Sequence, residues 1–378
     1  MKSLFPGYFQ LTEEALEKMW HESTFVFDTN VLLHLYRYSE ETRSTLLGLM
    51  KGLETRIWMP RKVAHEFFDN RLDVLGKQIS EYDKTVKKIQ EIVAILATDR
   101  QHPFIENATL IQMRSVSDNA IRELEQNKQL LMSRLVRDEI LKEIGVLFEN
   151  KVGEGFIETQ LEEIYNEGKA RHDKKVPPGY IDAKEKASSN DNYRIYGDLI
   201  IWKEMIERAK TTDSSIIFVS DDKKEDWWLE SHGRKISPQP QLIQEFQSST
   251  QKVFYIYTIE RFIEFAGKFL ASNISTEVIQ EVRDIRVSDE QKTANQHQFR
   301  IITESELVMK LSEYEGLISE DPESYVGLKH FITSVLAKQG YEINHSYAVV
   351  NNLINQGVVD LSEKFIGRGL AKVIALKK

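Results

Sequence analysis

The order of apolar and polar runs predicts an α/β protein: a parallel-sheet domain with a long helical insertion, followed by a small, mostly helical C-terminal domain. Three observations carry this. Apolar runs that end on acids occur at Phe25-Val26-Phe27-Asp28 and at Ile216-Ile217-Phe218-Val219-Ser220-Asp221. Up to Arg71 the chain alternates strand-like and helix-like patterns, the β-α-β-α order of parallel pairing. From about residue 72 to about residue 175, Gly and Pro are sparse while Glu, Lys, Gln and Leu abound, as in long helices.

Taken in order, Leu11, Ala15, Leu16, Met19 and Trp20 recur at helical spacing behind Thr12, a good N-cap. Phe25, Val26 and Phe27 are bulky or β-branched and do not alternate with polar residues, so they read as a strand buried on both faces. Residues 31–38 and 42–53 read as helices. Arg56-Ile57-Trp58-Met59 is a second short strand, stopped by Pro60, and Val63 opens the next helix. Within the insertion Ile79, Val86, Ile89, Val93 and Leu96 keep a helical period, as do Ile121, Leu124, Leu131, Leu135 and Ile144; a break at His102-Pro103 makes them an antiparallel hairpin. The Pro177-Pro178-Gly179 loop is turn chemistry. A helix over 199–210 follows, with Asp198 in its first turn, where the helix dipole favours an anion. Residues 215–220 are the clearest strand, 253–257 another, and 259–270 a helix. Residues 271–300 are polar and poor in aromatics, which predicts a linker. Residues 301–378 read as three helices and a terminal strand, with Gly340 and Gly357 at C-caps, a plan compatible with a winged-helix-like module. The expected divisions are 1–270, 271–300 and 301–378.

The 378 residues are 41% hydrophobic and 29% charged, carry a net charge of −9 and include no cysteine. That excludes a disulfide framework, a thiolate zinc site and a cysteine nucleophile. No apolar run nears the ~20 residues of a membrane span, and Met1-Lys2-Ser3-Leu4-Phe5-Pro6 lacks the apolar core of a signal peptide. A cytoplasmic protein without membrane association is expected. The acidic balance argues against a surface coated with bases for gripping nucleic acid, but permits a local substrate track. From Gln291 to the end, bases and acids number ten each, so the deficit lies before that point.

The chemistry is in the acids. Asp28 and Asp221 or Asp222 stand at strand ends, and Glu66 and Asp198 begin helices near the same sheet edge. Open α/β sheets bind ligands at the carboxyl ends of their strands. Clustered carboxylates there cannot all stay ionised without cations, and hard oxygen ligands suit Mg²⁺ or Mn²⁺. Such ions activate water and neutralise the leaving oxygen of a phosphodiester.

In Phe27-Asp28-Thr29-Asn30-Val31-Leu32-Leu33, Val63-Ala64-His65-Glu66-Phe67, Pro177-Pro178-Gly179-Tyr180-Ile181-Asp182, Tyr196-Gly197-Asp198-Leu199-Ile200 and Ile217-Phe218-Val219-Ser220-Asp221-Asp222-Lys223-Lys224-Glu225-Asp226-Trp227-Trp228, the chain resembles the PIN-like nuclease superfamily, specifically bacterial members with a helical insertion. The pieces span about residues 20–265 in the family's order. The resemblance implies a divalent-metal-dependent endonuclease acting on RNA or single-stranded nucleic acid, RNA being favoured, with Asp28, Glu66, Asp198 and Asp221 as metal-binding acids. Asp222 is a further or alternative ligand. Asp182 and Asp226 would support the site or replace a ligand, and Asn30 would orient a carboxylate or a water. Lys184, Lys186, Lys223 and Lys224 lie near the site as phosphate-binding candidates, beside the plainer reading of solvated lysines. Phe68-Asp69 departs from the basic or imidazole residues expected after Glu66, so Asp69 rivals Glu66.

His34, His65 and His172 read as exposed or hydrogen-bonded rather than catalytic, since metal hydrolysis needs no histidine. Trp227 and Trp228 read as core or lid packing. A haloacid-dehalogenase-like phosphohydrolase is the competing enzyme, but that family wants an acid where Asn30 stands; a non-catalytic binding module is the competing non-enzyme. A cytotoxic nuclease, for instance in anti-phage defence, needs restraint, and the insertion and C-terminal module are where a protein partner or a self-association surface is expected.

Overall fold

Strands of two to four residues make the central sheet, and the burial of β1 and β3 at every position explains why their sequences do not alternate. The computed structural model describes residues 1, 5–97, 105–181, 191–222, 224–232, 234–270, 273–297, 302–318, 326–341, 343–366 and 369–377. They fall into two units, Met1–Asp284 and Ile285–Lys378.

In the first unit the strands are β1 (Thr24–Phe27), β2 (Ile57–Trp58), β3 (Ile216–Val219), the hairpin β4 (Trp228–Ser231) and β5 (Arg234–Pro238), and β6 (Phe254–Tyr257). The sheet is parallel, in the order β2-β1-β3-β6. Strand periodicity puts Phe25 and Phe27 on one face, and Phe218, which pairs with Val26, on the other. Trp20 and Phe262 cover the first face; Trp227, with Trp202 and Phe246, covers the second. Burying each such ring contributes roughly 2–3 kcal/mol. Phe27 pairs with Val219, and Val219 with Tyr257, so three strands end level. That rim carries the site.

The helix Arg61–Leu96 begins directly after Pro60 and runs for 36 residues. The helix that brings Glu66 to the rim is therefore also the first arm of the insertion. The second arm, Asn107–Arg134, returns antiparallel to it: Lys128 Nζ lies 2.9 Å from Asp83, and Arg71 Nη1 lies 2.9 Å from Asp138. The predicted break at His102-Pro103 lies outside the described residues.

Two expectations need correction. The predicted linker 271–300 contains a 22-residue helix, Thr276–His297. Its composition misleads because, among its described side chains, the buried stripe is narrow, Val278 and Val282; Glu281 accepts from Ser39 and Thr42, and Arg283 donates to Glu260. The second unit has three strands rather than one. After helix Glu304–Ile318 come β7 (Val326–Gly327), a helical run over 328–339, helix Ile343–Asn355, and the hairpin β8 (Val359–Ile366) and β9 (Gly369–Leu376), in the antiparallel order β7-β9-β8. A two-residue strand shows no period, and β8 is masked by polar Asp360, Ser362, Glu363 and Lys364. Leu307, Leu311, Phe331, Leu336, Val350 and Ile374 form this unit's own core. Gly340 and Gly357 adopt positive φ, +84° and +74°, as C-caps require. No helix among the described residues is long and apolar enough to cross a membrane.

Candidate active site

Asp28 is the N-cap of helix Thr29–His34, and its Oδ1 accepts from Thr29 N at 2.7 Å. Its Oδ2 accepts from Asn30 Nδ2 at 2.6 Å and from the Ser220 hydroxyl. Asn30 reaches both central strand ends, because its Oδ1 also accepts from Asp221 N at 3.1 Å. Asp28 is only 9% exposed. Burial, with the nearby negative charges of Asp222 and Glu66, pushes its carboxyl up to about 7 against the pull of the Ser220 hydrogen bond.

Glu66 comes one turn into the long helix. Its Oε2 accepts from Thr29 Oγ1 at 3.0 Å, and its Oε1 lies 3.2 Å from Lys62 Nζ. Lys62 is buried, with its ammonium 4.0 Å from the centre of the Tyr193 ring. Asp69 is exposed, so Glu66 is the acid of this helix that reaches the rim. Asp198 enters on the first turn of helix Gly197–Thr212. A Cβ on Gly197 would stand 2.8 Å from Glu66 Oε1 and 3.0 Å from Lys62 Cε, so a side chain here would push the ends of Glu66 and Lys62 aside. Gly179 (φ +88°) brings the Pro-Pro-Gly loop over Asp198, its Cβ position 3.1 Å from Asp198 Cβ. Asp226, fully buried, accepts from Gly179 N at 2.8 Å and Ile181 N at 3.3 Å. Burial raises its pKa. It anchors the loop.

The two acids after β3 face different neighbours. Asp221 Oδ1 accepts from Ile259 N at 3.0 Å, at the start of helix Ile259–Phe269, and its Oδ2 lies 3.5 Å from His34 Nδ1. The Asp222 backbone N–H donates to Ser220 Oγ at 3.0 Å, and the Asp222 Oδ2 lies 3.0 Å from Lys224 Nζ. The same ammonium lies 3.6 Å from Asp198 Oδ2. Asp28, Glu66, Asp198 and Asp222 thus share the rim, while Asp221 is spent on a helix start and a histidine. Lys62, Thr29 and Ser220 also touch the rim acids, roles the sequence patterns did not assign, and His34 is hydrogen-bonded rather than exposed, as one of its two expected readings had it. Asp182, Lys184, Lys186 and Lys223 lie outside the described residues. Trp227 and Trp228 are buried.

The donor set is all carboxylate oxygen, the chemistry of Mg²⁺ or Mn²⁺, and two lysine ammoniums stand beside it as tethered cations. Among the described residues no three acids or histidines converge to metal-binding distance. The set fits a hard divalent ion in kind, with Lys224 occupying space between two of its acids.

The pattern of the family described as PIN like domain matches residues 24–242, more than half of the chain. The chain belongs to the PIN-like domain family. No curated protein and no solved structure gives a significant match. PIN-like domains are generally nucleases, and the match takes in all four rim acids of this PIN-like domain, the insertion, and the hairpin β4–β5. The second unit lies beyond it.

Proposed function

We propose that this PIN-like protein is a divalent-metal-dependent endonuclease that cuts RNA or other single-stranded nucleic acid. Asp28, Glu66, Asp198 and Asp222 would hold Mg²⁺ or Mn²⁺, which supplies an activated water and neutralises charge on the leaving oxygen. The observation that carries this reading is the shared rim. Four acids from four separate chain segments line it, and burial, with the negative charges of Asp222 and Glu66, raises the pKa of one of them, Asp28, to about 7.

The protein's own groups do the positioning. Asn30 and Ser220 fix Asp28, Thr29 and Lys62 fix Glu66, and Asp226 holds the loop over Asp198. Lys224 is placed to meet a phosphate once an ion takes over Asp198 and Asp222. A phosphohydrolase using Asp28 as nucleophile is disfavoured, because both of its oxygens already accept hydrogen bonds and Asn30 stands where a second acid is wanted.

The test is cleavage of labelled RNA, single-stranded DNA and duplex DNA with Mn²⁺ or Mg²⁺. Wild type is compared with Asp28→Asn and Asp198→Asn. Loss of at least ~10²-fold in both variants, with folding retained, is expected for removal of a metal-binding acid. Equal rates in wild type and variants would refute the assignment.

A further inference from the structure

The second unit lies outside the PIN-like match, and its charge is unevenly laid out. Over residues 291–325 acids outnumber bases seven to three; from Val326 onward, bases outnumber acids seven to three. The even balance of this segment therefore conceals an acidic part containing helix Glu304–Ile318 and a basic part built from the run 328–339, helix Ile343–Asn355 and the hairpin β8–β9.

The basic part has a concave face. A groove of ≈ 860 Å³ lies between the start of the run 328–339, helix Ile343–Asn355 and β9. Lys329, His330, Thr333, Tyr347, Asn351 and Lys372 line it, and among the described residues every charged side chain lining it is basic. Helix Ile343–Asn355 buries Val349, Val350 and Leu353. A second side is tied to the acidic helix, since Asn352 and Gln356 donate to Glu304. Of the remaining stripe, Tyr347, Asn351 and Asn355 at four-residue spacing, the first two line the groove, and both asparagines are exposed.

The element order is helix, strand, helix, helix, hairpin, with the last strand between the other two. It presents the second helix of a pair outward beside a β-hairpin. Helix-turn-helix proteins offer such a helix to the major groove of DNA. We propose that this face is a second nucleic-acid site, and that it takes duplex DNA. Helix Ile343–Asn355 enters the major groove with Asn351 at base edges, where an amide pairs well with adenine. Lys329 and Lys372 meet phosphates on either side. B-form DNA is specified because the deep, narrow major groove of duplex RNA does not admit side chains for readout.

The test is fluorescence anisotropy of the full chain in EDTA, which prevents metal-dependent cleavage. The probes are labelled duplex DNA, duplex RNA and single-stranded RNA. Duplex DNA is expected to bind most tightly. Lys329→Glu/Lys372→Glu should weaken it at least ~10-fold and lower the salt slope by about 2. Asn351→Ala should weaken binding severalfold with the salt slope unchanged, and Asp28→Asn should leave it intact. All three substituted groove residues are exposed, and melting curves check folding. Absent duplex-DNA binding, or duplex-DNA binding indifferent to the double substitution, would overturn the proposal; RNA binding that the double substitution leaves unchanged belongs to the first unit. The nuclease reading does not depend on the outcome.

Discussion

Lys224 sets the residue-scale behaviour of the site. Its ammonium lies 3.0 Å from Asp222 and 3.6 Å from Asp198, so a divalent ion held by those acids, as proposed, would have to displace it. The lysine side chain is about a quarter exposed, and an ion pair of that kind is worth about 1 kcal/mol. Lys224→Ala is therefore expected to tighten Mn²⁺ binding by about fivefold, read by calorimetric titration, while slowing cleavage. Weaker metal binding in the variant would contradict this competition. The strand-end positions of Asp28 and Asp222 were legible in the sequence from the apolar runs that precede them. Their supports were not. Ser220 matters only because β1 and β3 are adjacent, and Lys62 looks like any helix lysine until the Tyr193 ring and Glu66 close over it. Asp221 and Asp222 were indistinguishable because side-chain direction just past a strand end depends on the next helix, here the one starting at Ile259.

At the scale of elements, the contact between helices Arg61–Leu96 and Gly197–Thr212 aligns Glu66 with Asp198. Pro60 offers the long helix no capping side chain, and Glu204 serves instead, accepting from the backbone amides of Arg61 and Lys62. Burial pushes Glu204 up to about 7 from an ordinary 4.5. The folded state thus holds a proton that the unfolded state has released between those values, so stability is lost as pH rises from about 4.5 to about 7. Thermal melts across that range should fall with pH, and Glu204→Gln should flatten part of the slope; Asp28, shifted in the same direction, keeps the rest. A wild-type profile that rises over the same window would be inconsistent with a neutral, buried Glu204. Gly197→Ala tests the helix contact itself. The added methyl meets the flexible ends of Glu66 and Lys62, so the melting temperature should change little while cleavage drops ~10-fold or more, since small displacements of catalytic groups are costly. Helices with broad apolar faces were read correctly; Thr276–His297, with its narrow buried stripe, was not.

For the whole molecule, each of the two units has its own hydrophobic core. Scanning calorimetry of the full chain should resolve two transitions, since a single two-state step is expected of single domains. Ile332→Ala, in the second core, should lower one of them by ~2–5 kcal/mol of unfolding free energy and leave the other in place. One merged transition moved as a block would argue against two independent cores. Asn30 has a consequence for how the protein comes into being. It joins β1 to Ser220 across 190 positions of chain, with the entire helical hairpin threaded between. A ribosome thus releases Asp28 and Glu66 long before Asp198 and Asp222 exist. The half-made polypeptide carries two acids with no companions, and the rim of four acids is complete only once the later strand has emerged and paired.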